Sequence, residues 1–263
     1  MSMATTITWL GHNAWFIETN GTTILVDPFL DESPTAPVKA RDVKADFILL
    51  SHGHADHLGD TVAIAKRTGA KVITNFEVSE WLGKKGVKND QLVGMNPGGG
   101  IDLPFGRVKF TIAHHSSSMP DGSYGGVPGG FLLTLEDARL YFACDTALFL
   151  DMKLIGTGGL DLAVLPIGDL YTMGPEDSIE AVKLLNPKRV APCHYNTRHG
   201  QKECECSRRP SRWWWSRAGG FRCKTRCFAR VHLGQFLRNC RVRVSEKLGY
   251  VGLRIADGHN GSS

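Results

Sequence analysis

The fold of this chain is decided by one stretch of seven residues, Ser51-His52-Gly53-His54-Ala55-Asp56-His57. The stretch holds three imidazoles and one carboxylate, which are common metal ligands. Residues two apart in an extended backbone point the same way, so His52 and His54 can bind one ion while Asp56 and His57 turn toward a second. We interpret the pattern as a metal site, because a polar loop without such a role usually exposes Lys, Glu or Asn instead.

Strand-like and helix-like segments alternate on either side of this stretch. An apolar run over residues 47–50 precedes it, and apolar residues at helical spacing follow over residues 58–67. A strand over residues 71–74 and a helix over residues 77–85 continue the pattern. Such alternation favours an α/β fold in which helices cover the faces of a sheet.

The rest of the body is also divided into short elements. Strands are predicted over residues 6–10, 14–18, 23–26, 107–113, 131–135, 139–143, 162–166 and 189–192, and a helix over residues 175–185 begins at Pro175. A glycine- and proline-rich segment, residues 119–130, is either a surface loop or a lip over a metal cleft.

The His-x-His-x-Asp-His pattern after a strand resembles the metallo-β-lactamase superfamily. Within it, the chain is similar to the small UPF0173 group of metal-dependent hydrolases, relatives of ascorbate-6-phosphate lactonases. The resemblance covers about residues 6–197 and implies a four-layer αββα sandwich, in which two sheets face each other between outer helices. We therefore predict a hydrolase domain over residues 1–197 and an atypical basic C-terminal tail over residues 198–263.

The resemblance also implies the remaining metal ligands. His115 lies in an Ala-x-His-Ser pattern, with its neighbour His114 left open as the alternative ligand. Asp145 lies in Cys-Asp-Thr, where the family usually has Gly-Asp-Thr, and His194 begins His-Tyr-Asn-Thr. The implied set is a first ion held by His52, His54 and His115, a second ion held by Asp56, His57 and His194, and Asp145 shared between the two.

Further residues are candidates for roles beside the ions. His12, in the turn Gly11-His12-Asn13, is either a pocket residue near the metals or an ordinary turn histidine. Asp27 resembles the family's Asp-Pro after the third strand, and either supports a ligand histidine from behind or simply forms a turn. Asp169 is either a proton carrier or ligand partner in the cleft wall, or a strand-end turn residue. We take Asp56, Asp169 and His12 as the candidate catalytic residues.

The predicted cofactors are two divalent ions. The nitrogen and oxygen ligands suggest Zn²⁺ first and leave Mn²⁺ and Fe²⁺ open, because imidazole and carboxylate do not exclude the harder metals. Such a pair of ions lowers the pKa of bound water from about 15.7 toward about 7, so that a metal-bound hydroxide exists at neutral pH. We therefore predict hydrolysis of a small-molecule lactone, ester, amide or phosphoester.

The tail differs from the body in charge and in cysteine content. Residues 198–263 hold 15 Lys and Arg against 4 Asp and Glu, a net charge of +11, whereas residues 1–197 carry −6. Five of the seven cysteines lie in the tail; the other two, Cys144 and Cys193, are expected to be packed rather than metal-binding. Three interpretations of the tail compete: an arm that binds nucleic acid, a small zinc module, or the product of a shifted reading frame, which we favour.

The alternative function follows from the first interpretation of the tail. Arginines interleaved with Trp213, Trp214 and Trp215 are typical of segments that bind nucleic acid. A nucleic-acid-binding protein or phosphodiesterase, with the tail supplying affinity, is therefore the second hypothesis. The N-terminal residues lack a secretory pattern and no apolar run is long enough for a membrane helix. We expect a cytoplasmic protein with no membrane partner; substrate, metal identity and homo-oligomer formation are left open.

Overall fold

The computed structural model describes residues 4–195 and three short strands beyond them, Trp214–Ser216, Gly220–Arg222 and Gly252–Arg254. Two β-sheets face each other, and helices cover the outer face of each, which confirms the predicted α/β four-layer sandwich. Apart from the backbone of those three strands, everything predicted for the tail lies outside the described residues, including its boundary at residue 197.

The first sheet begins as an antiparallel meander and continues with parallel strands. Its described strands are β1 (Thr6–Trp9), β2 (Trp15–Thr19), β3 (Thr22–Val26), β4 (Phe47–Leu49), β5 (Lys71–Asn75) and β6 (Leu92–Met95), hydrogen-bonded in that order. Pairing is antiparallel from β1 to β3 and parallel from β3 to β6. At the outer edge, β1 pairs antiparallel with Gly252–Arg254.

The second sheet repeats this arrangement along the chain. Its strands are β7 (Gly100–Leu103), β8 (Gly106–Ile112), β9 (Gly129–Thr134), β10 (Arg139–Phe142), β11 (Leu162–Pro166) and β12 (Val190–Cys193), also in sequence order. Pairing is antiparallel from β7 to β10 and parallel from β10 to β12. The carboxyl ends of β10 and β12 therefore lie at one edge of the sheet.

Within residues 4–195, five α-helices form the outer layers: α1 (Ala55–Leu58), α2 (Thr61–Thr68), α3 (Phe76–Lys84), α4 (Met152–Ile155) and α5 (Pro175–Leu185). Apolar side chains of the first three helices pack on the first sheet, and those of α4 and α5 pack on the second. A third apolar layer lies between the sheets and includes Phe110, Phe131 and Phe142. Burial of these three layers provides the main stabilisation of the fold.

The helix predicted over residues 58–67 is interrupted in the structure. Gly59 has a φ of 40° and separates α1 from α2. A Cβ at this position would lie 2.6 Å from Cα of Phe29 and 2.6 Å from the carbonyl oxygen of Pro28, so only glycine fits. The interruption places Asp56 and His57 on a short helix of their own. The sequence patterns also missed β6, β7 and α4, which are too short to show a clear period.

Within the part of the chain that the structure describes, no helix combines the length and the apolar character that crossing a bilayer requires.

Candidate metal centre

The predicted ligands meet at the carboxyl ends of strands from both sheets. His52 and His54 follow β4, His115 follows β8, Asp145 follows β10 and His194 directly follows β12. Parallel neighbours deliver their carboxyl ends to the same edge, which is where ligands of open α/β sheets gather. The two facing sheets thus bring together side chains from distant parts of the chain.

The first cluster consists of His52, His54 and His115. Nε2 of His52 lies 3.0 Å from Nδ1 of His54, and Nε2 of His115 lies 3.3 Å from the same Nδ1 atom. Burial lowers the pKa of all three imidazoles, which favours their neutral forms. Three ring nitrogens that face one another with lone pairs available form a typical arrangement for a cation with nitrogen ligands.

The second cluster consists of His12, Asp56, His57 and His194. Nε2 of His12 lies 3.0 Å from Oδ2 of Asp56, and Nε2 of His194 lies 3.8 Å from the same oxygen. All four side chains are buried. His12 is therefore a buried member of this cluster.

Asp145 lies between the two clusters. Its Oδ2 atom is 3.0 Å from Nε2 of His194, 3.2 Å from Nε2 of His57 and 3.5 Å from Nε2 of His115. It also forms a compact group with His52 and His57. One carboxylate oxygen therefore approaches imidazoles of both clusters, which is the geometry expected for a ligand shared by two ions.

The two clusters contain ionised carboxylates and one histidine whose pKa is raised. Burial by itself would raise the pKa values of Asp56 and Asp145, but hydrogen bonds and charges from His12, His57 and His194 hold both well below the ordinary range. Burial would likewise lower the pKa of His57, but Asp145 and Asp27 outweigh it and raise that pKa well above its ordinary value. The site therefore offers ionised carboxylates to a cation.

Several buried atoms of the site fit a bound cation better than a purely structural role. Among the described residues, Oδ1 of Asp145 is buried without a hydrogen-bond partner, and Nε2 of His57 and Nε2 of His194 face its other oxygen at 3.2 and 3.0 Å. Leaving such atoms unpaired is costly unless something else binds them. Inward-facing nitrogen and oxygen donors with unpaired lone pairs are suited to divalent metals.

Asp27 supports the site from behind, as one of its two interpretations anticipated. Its Oδ2 atom lies 2.7 Å from Nδ1 of His57 and accepts hydrogen bonds from Nδ2 of Asn13 at 2.7 Å and Oγ of Ser51 at 2.6 Å. Oγ of Ser51 is also 2.9 Å from Nδ1 of His52. Sequence reasoning missed Asn13 and Ser51; their only signal was their position beside a candidate histidine.

Three other candidates lie outside the clusters. His114 is exposed, and its ring contacts Phe149 with centroids 5.1 Å apart, so the structure brings His115 and not His114 to the site. Cys144 is fully buried in the layer between the sheets. Asp169 is exposed on the loop after β11, and its role as a proton carrier or ligand partner stays a prediction.

Strained backbone marks the same region. His12, Asp27, Cys144 and His194 all have positive φ angles, between 42° and 56°. This left-handed conformation is unfavourable for residues with a Cβ and persists only where the surrounding structure enforces it. It explains why a family pattern with Gly before the bridging Asp fits this backbone, since Cys144 occupies a conformation that glycine adopts freely.

Two loops border the site. Residues 116–129 contact the stretch of residues 51–57 that carries His52 and His54. Ser117 Oγ accepts a hydrogen bond from the Gly53 amide, and the Gly129 amide donates to the Ser51 carbonyl. Residues 168–174 contact the other side, where a Cβ on Gly168 would lie 2.8 Å from Nδ1 of His194. These contacts fix the first loop beside the site, and its role as a lip over the cleft stays a prediction.

Comparison with known proteins places this arrangement in a family. The beta-lactamase superfamily domain matches residues 22–195. A UPF0173 metal-dependent hydrolase of Bacillus cytotoxicus is 52% identical over 197 residues, which is 73% of this chain and 86% of that protein. One from Thermus thermophilus is 49% identical over 191 residues, covering 73% and 84%.

A solved structure shows the same relationship. Igni18, described as a novel metallo hydrolase from the archaeon Ignicoccus hospitalis, is 36% identical with a TM-score of 0.65, and the match covers 74% of this chain and 84% of that one. Together with the sequence relatives, it shows that the chain belongs to the UPF0173 metal-dependent hydrolases of the beta-lactamase superfamily.

Proposed function

We propose that this protein hydrolyses a lactone, ester, amide or phosphoester of a small metabolite at a site that holds two divalent ions. The observation that carries the proposal is the position of Asp145, whose Oδ2 atom approaches His115 of the first cluster and both His57 and His194 of the second. A carboxylate shared in this way is suited to a pair of ions.

Each ion would have its own set of protein ligands. The first would be held by His52, His54 and His115, the second by Asp56, His57 and His194, and Asp145 would be shared. When bound, two such ions lower the pKa of a water molecule and polarise an oxygen atom of the substrate. Zn²⁺ is our first expectation, and Mn²⁺ or Fe²⁺ would also suit these ligands.

The residues of the chain determine from which side the substrate approaches. His54 and His115 of the first cluster are partly exposed, whereas His12, His57 and His194 of the second are fully buried. A substrate can therefore approach the ligands of the first ion, whereas the ligands of the second ion are closed off from solvent. The buried second cluster excludes bulk water and strengthens electrostatic interactions there.

The two bordering loops present apolar side chains to solvent beside the site. Tyr124 in the first loop and Leu170 and Tyr171 in the second are more than half exposed. The second loop is held close to the ligands, because the Met173 amide donates to the carbonyl of Thr146. Apolar side chains on loops fixed to a metal centre support a substrate that has an apolar portion.

Hydrolysis also requires that a proton leave the attacking water and that one reach the leaving group. Asp56 and Asp145 are the ionised carboxylates of the site, but both are turned toward imidazoles. Asp169 lies on the loop beside His194 and is exposed. We therefore keep Asp169 as the candidate that transfers a proton to solvent.

The test is metal content by elemental analysis, on protein purified without chelator. We expect about two ions per chain in the parent and fewer in His115→Ala and His194→Ala, which remove a ligand from each proposed ion. His114→Ala is the matched control, because its ring lies outside the clusters, and it should keep the parental content. A screen of lactones, esters, amides and phosphoesters, with chelated protein as blank, then tests the activity.

The outcome also separates the proposal from the alternative of a nucleic-acid-binding protein or phosphodiesterase. One ion or none in the parent, unchanged by His194→Ala, would contradict the two-ion site. Cleavage of nucleic acids in place of small metabolites would favour the alternative. The cytoplasmic location expected from the sequence stays a prediction.

A further inference from the structure

The turn formed by Gly11, His12 and Asn13, between β1 and β2, is connected to every ligand that belongs to the second ion alone. Its three residues are buried, although they connect two antiparallel strands, where exposed polar residues are usual. Gly11 has a φ of 95°, and a Cβ there would lie 2.7 Å from Oγ1 of Thr35 and 2.9 Å from its carbonyl carbon. The turn is therefore held tightly in one position.

The first connection is to Asp56. Nε2 of His12 lies 3.0 Å from Oδ2 of Asp56, within hydrogen-bond distance. The His12 ring also packs against the ring of Phe29, with centroids 5.9 Å apart. A ring fixed in this way orients the carboxylate that it contacts.

The second connection is to His194. The backbone amide of His194 donates to the carbonyl oxygen of His12 at 3.1 Å, and Nε1 of Trp9 donates to the same oxygen at 3.0 Å. The His12 and His194 rings are 4.2 Å apart. His194 has a φ of 56°, so its strained backbone depends on such contacts.

The third connection is to His57 and passes through Asp27. Nδ2 of Asn13 donates to Oδ2 of Asp27 at 2.7 Å, and that oxygen lies 2.7 Å from Nδ1 of His57. The amide of Asn13 thereby fixes the carboxylate that orients the His57 ring. Asn13 and Asp27 are at most 1% exposed, so water does not compete for these hydrogen bonds.

The ligands of the first ion are supported differently. His52 and His54 are two residues apart in sequence on the loop after β4, and Oγ of Ser51 lies 2.9 Å from Nδ1 of His52. His115 comes from the loop after β8. Local sequence therefore supplies two of the three ligands of the first ion.

We propose that the turn at residues 11–13 positions the second ion's ligands, with His12 and Asn13 as positioning residues, so that the affinity for the second ion depends on this turn more strongly than the affinity for the first, whose ligand His52 the turn reaches only through Asp27 and Ser51. The inference rests on the two-ion site of the proposed function. His12 acts as a hydrogen-bond donor to Asp56 and does not itself bind the ion. Partners that orient metal ligands typically change metal affinity 10- to 100-fold, roughly, when removed.

The experiment compares four variants with the parent: His12→Leu, His12→Gln, Asn13→Ala and Asn13→Ser. Each full-length protein is stripped with chelator and titrated with Zn²⁺ in metal buffers, and elemental analysis gives the bound Zn²⁺ per chain at each free concentration. Titrations of His115→Ala and His194→Ala assign the two binding steps to the first and the second ion. We expect His12→Leu and Asn13→Ala to weaken the second affinity by about tenfold or more. His12→Leu should leave the first affinity unchanged, and Asn13→Ala should weaken it less than the second. His12→Gln keeps a donor near the position of Nε2 and should restore most of the loss, and Asn13→Ser should restore part of it.

His114→Leu is the matched control, since it replaces an exposed histidine outside the clusters and should change neither affinity. Thermal unfolding of the metal-free proteins accompanies each titration. If His12→Leu does not fold, the comparison of Asn13→Ala with Asn13→Ser still tests the turn.

Each result decides between stated alternatives. Equal weakening of both affinities would mean that the turn only supports the fold, and unchanged affinities would overturn the inference directly. If His12→Gln behaves like His12→Leu, His12 is a ligand of the second ion and not a positioning residue. A parent that binds a single ion would overturn the two-ion function itself, whereas a parent with two ions and insensitive variants would overturn only the inference.

Discussion

The Oδ2 atom of Asp27 lies 2.7 Å from Nδ1 of His57, and both side chains are fully buried. Because Asp27 binds the outer nitrogen of the ring, the inner nitrogen, Nε2, points toward Asp145. This contact fixes the tautomer that a metal ligand needs and increases the basicity of the ring. Asp27 therefore determines the orientation in which His57 presents Nε2 to a metal ion.

Replacing Asp27 with asparagine should weaken metal binding without removing a ligand. Asn has nearly the same shape as Asp, but it lacks the charge that raises the pKa of His57. We expect metal affinity to fall by about 10- to 100-fold, measured by competition with a chromophoric chelator. Asp46→Asn serves as control. Asp46, directly before β4, is an exposed carboxylate that accepts hydrogen bonds from the amide and the hydroxyl of Thr23. An equal effect of both variants would contradict the prediction.

Replacing Cys144 with glycine should leave the metal content unchanged. Cys144 has a φ of 52°, which glycine adopts without strain, and releasing that strain offsets part of the lost burial. Burial also raises the pKa of its thiol well above the ordinary value, so no thiolate is available to a metal at neutral pH. We expect the free energy of unfolding to change by about 1 kcal/mol or less, measured by urea denaturation. Loss of an ion would show that Cys144 is a ligand.

The stability of the metal-free protein should depend on His12 in acid. Burial lowers the pKa of His12 to about 4, below the ordinary 6.5, so the unfolded chain binds a proton there before the folded chain does. Above about pH 6.5 the free energy of unfolding is not reduced by His12. As the pH falls from 6.5 toward 4, protonation of His12 in the unfolded chain lowers the free energy of unfolding by about 3 kcal/mol in total.

The measurement is urea denaturation of chelated parent and chelated His12→Gln between pH 6.5 and pH 4. Glutamine has no titrating ring, so the variant should lose less stability over this range than the parent. His114→Gln controls for the loss of a histidine as such. Parallel pH curves for parent and His12→Gln would contradict the lowered pKa.

The tail should not contribute to hydrolysis of a small substrate. Residues 198–263 carry a net charge of +11, so full-length protein is expected to bind single-stranded nucleic acid at low salt by counterion release. We expect this binding to disappear near an ionic strength of about 0.15 M, measured by fluorescence anisotropy. Binding that persists at that salt, together with cleavage of the strand, would favour the nuclease alternative.

Local sequence patterns predicted most of the helices and strands and the ligands that lie close together along the chain. The helix Pro175–Leu185 and the strand Leu162–Pro166 were predicted with the bounds that the structure shows. Both follow from local rules: a proline in the first turn, helical spacing of apolar residues, and a continuous apolar run for a buried strand. His52 and His54 were recognised for the same reason, since two-residue spacing alone makes them neighbours.

Only the tertiary structure decided how distant segments meet. Asp145 lies between the two clusters, and His12 reaches Asp56 across 44 residues of sequence, because two sheets bring their strand ends to a common edge. The interruption at Gly59 depends on its contact with Phe29, and the exposed position of Asp169 depends on the path of a loop. Such contacts join residues far apart in the chain, and no local propensity or spacing contains them; they arise only when the apolar layers pack and exclude water.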